Sequence, residues 1–451
     1  MKTGWIFLGI GTLIATLGAC GGSDGADGKT GATGAQGDKG DPGAKGDPGD
    51  KGDKGDKGDP GGGADGGTVE GGLTAGCLSP CHGFTGIVEQ WKTSTHFAVY
   101  AANLGGEEVE TWTGERTCGN CHAVDAIEQR VAGNFVVTGT TGPTNGTKGQ
   151  INYKKSTDNG ITESSYAGQA TVAQVGCNTC HDGTGNDPHA TGAVWTAGTF
   201  PLRAPVGATD EVYLEKSSAV GTSDGTAAGA FGLGNACMWC HKSRKDVTNY
   251  IGASTNITSV HWGPHIGPQA EIFTAKGGYH YSGKTYNSST HGNPTANPNG
   301  CVTCHMPKMA NNQNIGNHSF YPQVSACNAT GCHTGATDFN VNGAVGGLTA
   351  NIIDLRKALN AKGCLTRDEA SPYNALSASQ ETDDEFAHDE PRPGGSCNGL
   401  AGDEAGALYN YLLIARGSAL GIHNPRYTKQ LVFDSVVALT GNPPTTLPVR
   451  P

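Results

Sequence analysis

Pairs of cysteines closed by a histidine constrain this chain more than any other feature. Four copies share one spacing: Cys118-Gly119-Asn120-Cys121-His122, Cys177-Asn178-Thr179-Cys180-His181, Cys237-Met238-Trp239-Cys240-His241 and Cys301-Val302-Thr303-Cys304-His305. Two more are stretched, with three residues between Cys77 and Cys81 before His82, and four between Cys327 and Cys332 before His333. Two thiols at this spacing reach neighbouring pyrrole rings along one edge of a porphyrin. The next residue then aims its imidazole at the metal from below. This is the attachment signature of c-type haem. One copy could be coincidence; four are not. The longer loops can bulge outward while both sulfurs stay in reach, so six covalently attached haems c are the expected cofactors.

Paired cysteines are also zinc chemistry, and each stretched pair could instead form a disulfide or a structural zinc pair beside an unrelated histidine. A zinc-ribbon reading of the whole set is disfavoured because every pair carries its own following His, which a four-cysteine site does not need.

Composition fits a fold organised by cofactors. Only 35% of the 451 residues are hydrophobic, 16% are charged and 73 are glycine. Such a chain should struggle to bury enough apolar surface to offset its conformational entropy, unless something other than side chains fills the interior. The net charge of −11 offers no basic face for nucleic acid, which is not an expected partner.

The N-terminus reads as an address. Lys2 precedes an apolar run over 5–17, too short for a comfortable bilayer span, which closes on Leu17-Gly18-Ala19-Cys20. The segment resembles a bacterial lipoprotein signal, which implies cleavage before Cys20, lipidation of Cys20 and a membrane attachment through that lipid. Gly21 in place of Asp resembles sorting to the outer membrane. An ordinary secretory peptide is the alternative, and both put the mature protein outside the cytoplasm. With twelve cysteines in motifs and Cys20 lipidated, only Cys364 and Cys397 remain of the 15. By elimination, these two pair as a disulfide in an oxidising compartment.

From Gly22 to Gly61 glycine occupies every third position, the phase that a triple helix demands. Pro42, Pro48 and Pro60 fall at the third position of a triplet, and Lys-Gly-Asp recurs from Lys39 to Lys57. Two readings stay open: a collagen-like stalk joining a homotrimer, or a solvated mixed-charge tether. Fully extended, the run would reach roughly 120 Å. The expected organisation is a leader over 1–20, a stalk or tether over 21–70, a haem-binding region over 71–350 and a C-terminal helical segment over 351–451 that packs back on it.

Each iron also needs a second axial ligand or an open site. Methionine is scarce, with four in the chain, whereas nine of the 15 histidines lie outside the motifs. Replacing Met by His lowers a haem potential, so a low-potential, mainly bis-His set of centres is expected. His96 lies in an expected helix over 91–104. His189, His291 and His318 sit in loops near motifs. His261 and His265 share the segment Val260-His261-Trp262-Gly263-Pro264-His265, and at least one of them should ligate. His423 precedes Asn424-Pro425, which reads as the cap and first residue of a helix through 438. His280 lies among tyrosines and is open either way; His388, in the acidic run 381–390, reads as a solvated loop.

Several of these stretches resemble outer-surface multihaem cytochromes of metal-respiring bacteria. They are the lipobox with Gly21-Gly22-Ser23-Asp24-Gly25, Asn235 to Arg244, His261 to His265, Cys301 to Met306, Asn317-His318-Ser319-Phe320, Tyr409 to Leu413, and Gly421 to Pro425. Six motifs are fewer than the decahaem members of that group carry. The resemblance covers most of 71–451. It implies electron transfer at the cell surface to extracellular acceptors such as metal oxides, with other envelope redox proteins as partners. The expected fold is mainly α with extensive irregular loops around a haem chain. Helices are expected near 352–361, 404–416 and 426–438, and a hairpin over 134–156. Two alternatives remain: a reductase of a small oxyanion with one open iron, and a subunit of a cytochrome filament.

Overall fold

The computed structural model describes residues 81–97, 175–181, 189, 201–202, 231–238, 240–243, 247–309, 312–329, 331–367 and 389–451. Cys20, the glycine-triplet run, Cys77, Cys118, Cys121, His122, the hairpin segment and His388 lie outside the described residues. In chain order the elements are α1 (Ile87–Lys92), α2 (Cys177–Cys180), α3 (Asn235–Met238), β1 (Ser254–Thr255), α4 (Ala270–Phe273), α5 (Cys301–His305), β2 (Lys308–Met309), β3 (Asn312–Gly316), α6 (Val324–Cys327), α7 (Ala344–Ala361), β4 (Leu400–Ala401), α8 (Gly402–Ala415) and α9 (Pro425–Thr440). Two antiparallel pairs, β1 with β4 and β2 with β3, are the sheets among these residues.

The C-terminal helices α7, α8 and α9 pack on one another and hold most of the aliphatic core. The sequence of α8 is apolar around its whole circumference, as befits a central helix, and every residue from Ala405 to Ala415 is buried. One face of α7 meets it through Leu348, Ile352, Leu355 and Leu359, the spacing that aligns side chains on one side of a helix. At the start of α9, the Asn424 side chain accepts a hydrogen bond from the Tyr427 N–H, and Pro425 takes the first turn, where its missing donor costs nothing. Gly441, at φ 74°, ends it in the left-handed conformation. The low hydrophobic fraction of the whole chain had implied little side-chain core; locally, this region has one.

Polar groups tie the earlier chain onto that core. The Asn410 carboxamide in α8 accepts from the Tyr279 N–H (2.7 Å) and donates to the Tyr279 carbonyl (3.0 Å), pairing with a loop as a strand neighbour would. Gly406 makes this approach possible, because a Cβ there would sit 2.1 Å from the Tyr279 ring. The Asp389 carboxylate is wholly buried between the Arg356 guanidinium and the Tyr411 hydroxyl, both of which donate to it. Cys364 and Cys397 are joined by a disulfide, with Cα atoms 5.0 Å apart. The expected boundary at 350 falls inside α7, and the helix expected from 352 begins eight residues earlier at Ala344. The helix expected over 91–104 is described only as α1 and a further turn at 95–97.

Candidate metal centre

The described motifs close their backbones in a common way. The His181 N–H donates to the Cys177 carbonyl (2.9 Å), and His241 to Cys237 (3.0 Å). In α5 the whole motif Cys301–His305 is one short helix. The stretched sixth motif reaches the same closure: His333 N–H donates to the Cys327 carbonyl at 2.8 Å, while the extra residues bulge and are tied by Cys332 N–H to Ala329 (3.0 Å). Two added residues therefore leave the relation of His to first Cys unchanged.

Above this backbone the histidines are arranged in pairs. Ring centroids lie 6.1 Å apart for His82–His189, 6.0 Å for His96–His241, 6.2 Å for His181–His318, 6.0 Å for His291–His333 and 6.1 Å for His305–His423. Each pair joins one motif histidine to one non-motif histidine. Ordinary ring contacts of this kind span a wide range, from about 4.5 to 7 Å, and have no reason to respect motif membership. Two imidazoles on opposite sides of one metal ion do have such a reason. A metal–nitrogen bond of about 2 Å on each side, plus about 1.1 Å from each nitrogen to its ring centre, puts the centroids about 6.2 Å apart. The ring planes are free to rotate about that axis, which fits interplanar angles from 27° to 89°.

The ring nitrogens are allocated to match. Nδ1 of His181 donates to the Pro201 carbonyl (3.2 Å), His291 to Ile422 (2.8 Å), His305 to Phe320 (2.8 Å) and His318 to Gly316 (2.8 Å). Nδ1 of His423 bonds the Gln269 side-chain oxygen at 2.7 Å. A carbonyl can only accept, so Nδ1 carries the proton and Nε2 keeps its lone pair for a metal. Burial pushes His318 down to about 4, with the His181 charge adding to it against the Gly316 hydrogen bond. Burial, then the like charges of His305, His291 and His241, brings His423 to about 3. Both rings are thus neutral near pH 7, the ligating form. Both also keep some accessible surface although they lie deep in the chain, and none of the ten paired rings is closely buried.

The thiols also approach one another. Cys237 donates to Cys301, which brings the fourth and fifth motifs side by side; this contact, then burial, pushes the Cys237 thiol up. Burial, with the nearby Cys327 and Cys332, raises Cys304 to about 11. Cys81, Cys177, Cys180 and Cys240 are not in disulfides.

Sequence reasoning missed three supporting residues. Phe320 holds φ 61°, unusual for a bulky side chain, and from there its carbonyl receives His305 while its ring stands edge-on to His96 (4.8 Å) and to His318 (5.9 Å). Gln269 orients His423, and Gln90 receives the His318 N–H at 2.9 Å. Polar side chains that act on a distant ring leave no local pattern to read. Of the other histidines, His280 places Nε2 2.8 Å from the Tyr427 hydroxyl and stacks on Tyr286 at 4.2 Å, so it is committed elsewhere. His261 and His265 are exposed.

No group of three or more His, Cys, Asp or Glu gathers around a bare metal ion among the described residues. Paired axial imidazoles with thiols beside them suit a metal whose equatorial donors come from a macrocycle, so the residues present fit a haem. Among the described residues no helix is long and apolar enough to cross a membrane. No family model, curated protein or solved structure matches the chain.

Proposed function

We propose that this chain is a six-haem, low-potential c-type cytochrome that transfers electrons outside the cytoplasm. One observation carries the reading: among the described residues, all five histidine pairs join a motif residue to a non-motif residue at 6.0–6.2 Å. When bound, each haem supplies a one-electron iron couple. The chain's residues do the rest. The twelve motif thiols would fix the groups covalently, and His82, His122, His181, His241, His305 and His333 would each bind one iron. His96, His189, His291, His318 and His423 would supply the second imidazole at five of them. Hydrogen bonds at Nδ1 hold the rings in orientation and raise their basicity, which together with bis-His ligation favours low potentials.

Two imidazoles at each of five irons would leave no place for a substrate there, so a carrier and an oxyanion reductase would differ at the sixth iron, the one served by His122. The lipobox and glycine-triplet run support a cell-surface lipoprotein, with envelope redox proteins as donors and extracellular acceptors such as metal oxides. The test is the intact mass and pyridine haemochrome spectrum of the matured full chain. Six haems per chain are expected; a colourless protein with the mass of the bare polypeptide would overturn the reading.

A further inference from the structure

We propose that Glu271 couples proton uptake to the arrival of an electron at the iron centre of His96 and His241; this rests on the haem reading above. Glu271 lies in α4 with no accessible surface, yet half of its carboxylate is unengaged. Oε1 accepts the Ser243 N–H at 2.6 Å, whereas Oε2 is buried without a hydrogen-bond partner. A buried carboxylate with an unbonded oxygen is costly, and a proton placed there removes the charge.

The position of Glu271 follows from how α4 is joined to the fourth motif. The Gln269 and Ala270 N–H groups both donate to the His241 carbonyl (3.1 and 2.9 Å), and Ser243 follows His241 by two residues. The Gln269 side chain reaches the other way, to Nδ1 of His423 at 2.7 Å. The Glu271 carboxylate therefore sits beside a motif histidine while bonding Ser243 and neither ligand. The groups that face it from the motif are Ser243 and the Lys242 ammonium, both buried. Burial favours the neutral acid, against the Ser243 bond and the Lys242 charge. Opposed influences of this kind leave a group responsive to one more charge nearby. Reduction from ferric to ferrous adds one. A unit charge about 10 Å away, at an effective dielectric of about 20, changes proton affinity by about tenfold. In the coupled step the iron takes one electron from a one-electron donor protein, and Glu271 takes one proton from water. No bond to the iron changes.

The experiment is redox-difference infrared spectroscopy with potentiometric titration of the fully matured, full-length chain, from weakly acid to weakly alkaline pH. On reduction, wild type should gain the C=O band of a buried carboxylic acid. One potential should fall as pH rises through that window, by about tenfold in its reduction constant, or about 59 mV. Glu271→Gln should lack the band and hold that potential at its low-pH value. Lys242→Met removes the charge that favours the carboxylate, so the window should move to higher pH. In His96→Met, the centre that takes on histidine–methionine ligation should be the pH-dependent one. The proposal is overturned if wild type gains no such band, if Glu271→Gln keeps the band or the pH dependence, or if that dependence belongs to another centre. Should Glu271→Gln fail to mature, Lys242→Met decides: an unmoved window overturns the proposal. A colourless wild type would instead sink the haem reading itself.

Discussion

Along α8 all eleven residues from Ala405 to Ala415 are buried, whereas none of the five residues of α5, Cys301–His305, is. The two helices belong to regions that meet the cost of chain ordering in different ways. Residues 344–367 and 389–451, joined by Ile257, Trp262 and Ile272, close on Leu, Ile and Tyr side chains, with a buried ion pair and a disulfide as fasteners. Among the described residues the motif-bearing segments have one small apolar cluster, centred on Phe231, Met238 and Phe273, beside imidazoles that keep some accessible surface. His423 joins the two, since it stands at the entry to α9 in the well-packed region yet faces His305 of α5.

The sharpest way to break this contrast is to withhold haem. In a full-length chain made without attachment, limited proteolysis should cut within 231–341 while α8 and α9 stay protected; equal cleavage throughout would erase the distinction. A large effect confined to the packed region is expected from Asp389→Ala, which leaves the buried Arg356 charge uncompensated. Denaturant unfolding should show a loss of about 3–5 kcal/mol, with the haem spectrum of the remaining folded protein unchanged. Cys397→Ser opens a disulfide between residues 33 apart in sequence, and the same titration should register a loss of roughly 3–4 kcal/mol. The smallest effect lies at the border between the regions. Glu271 is fully buried and receives the Ser243 N–H at 2.6 Å; burial raises its carboxyl above its usual value of 4.5 despite that bond. The folded state thus holds this proton more tightly than the unfolded one. Its contribution is full below pH 4.5 and is lost as pH rises through the folded value. Glu271→Gln should flatten that part of the stability–pH curve, and an unchanged slope would assign the dependence to other groups.

Much of the packed region was legible. The apolar runs gave all three long helices, and Asn424-Pro425 marked the start of α9 to the residue. The start of α7 was not legible, because Gly346-Gly347 interrupts the apolar pattern and reads as a break, whereas neither glycine meets any steric demand. The average composition misled about the core, since it dilutes the apolar concentration over 402–440 with glycine-rich sequence elsewhere. In the motif region, the cysteines and following histidines could be read because their spacing is local chemistry. Which histidine faces which could not, because His305 and His423, or His96 and His241, meet only through the fold. The roles of Phe320 and Gln269 were hidden for the same reason.

Near-infrared magnetic circular dichroism of the oxidised, full-length protein addresses the central claim most directly, because its charge-transfer bands report the axial ligands of each ferric haem. Bis-histidine bands accounting for six haems are expected. Bands of histidine–methionine or high-spin centres at the irons served by the five histidine pairs would contradict it.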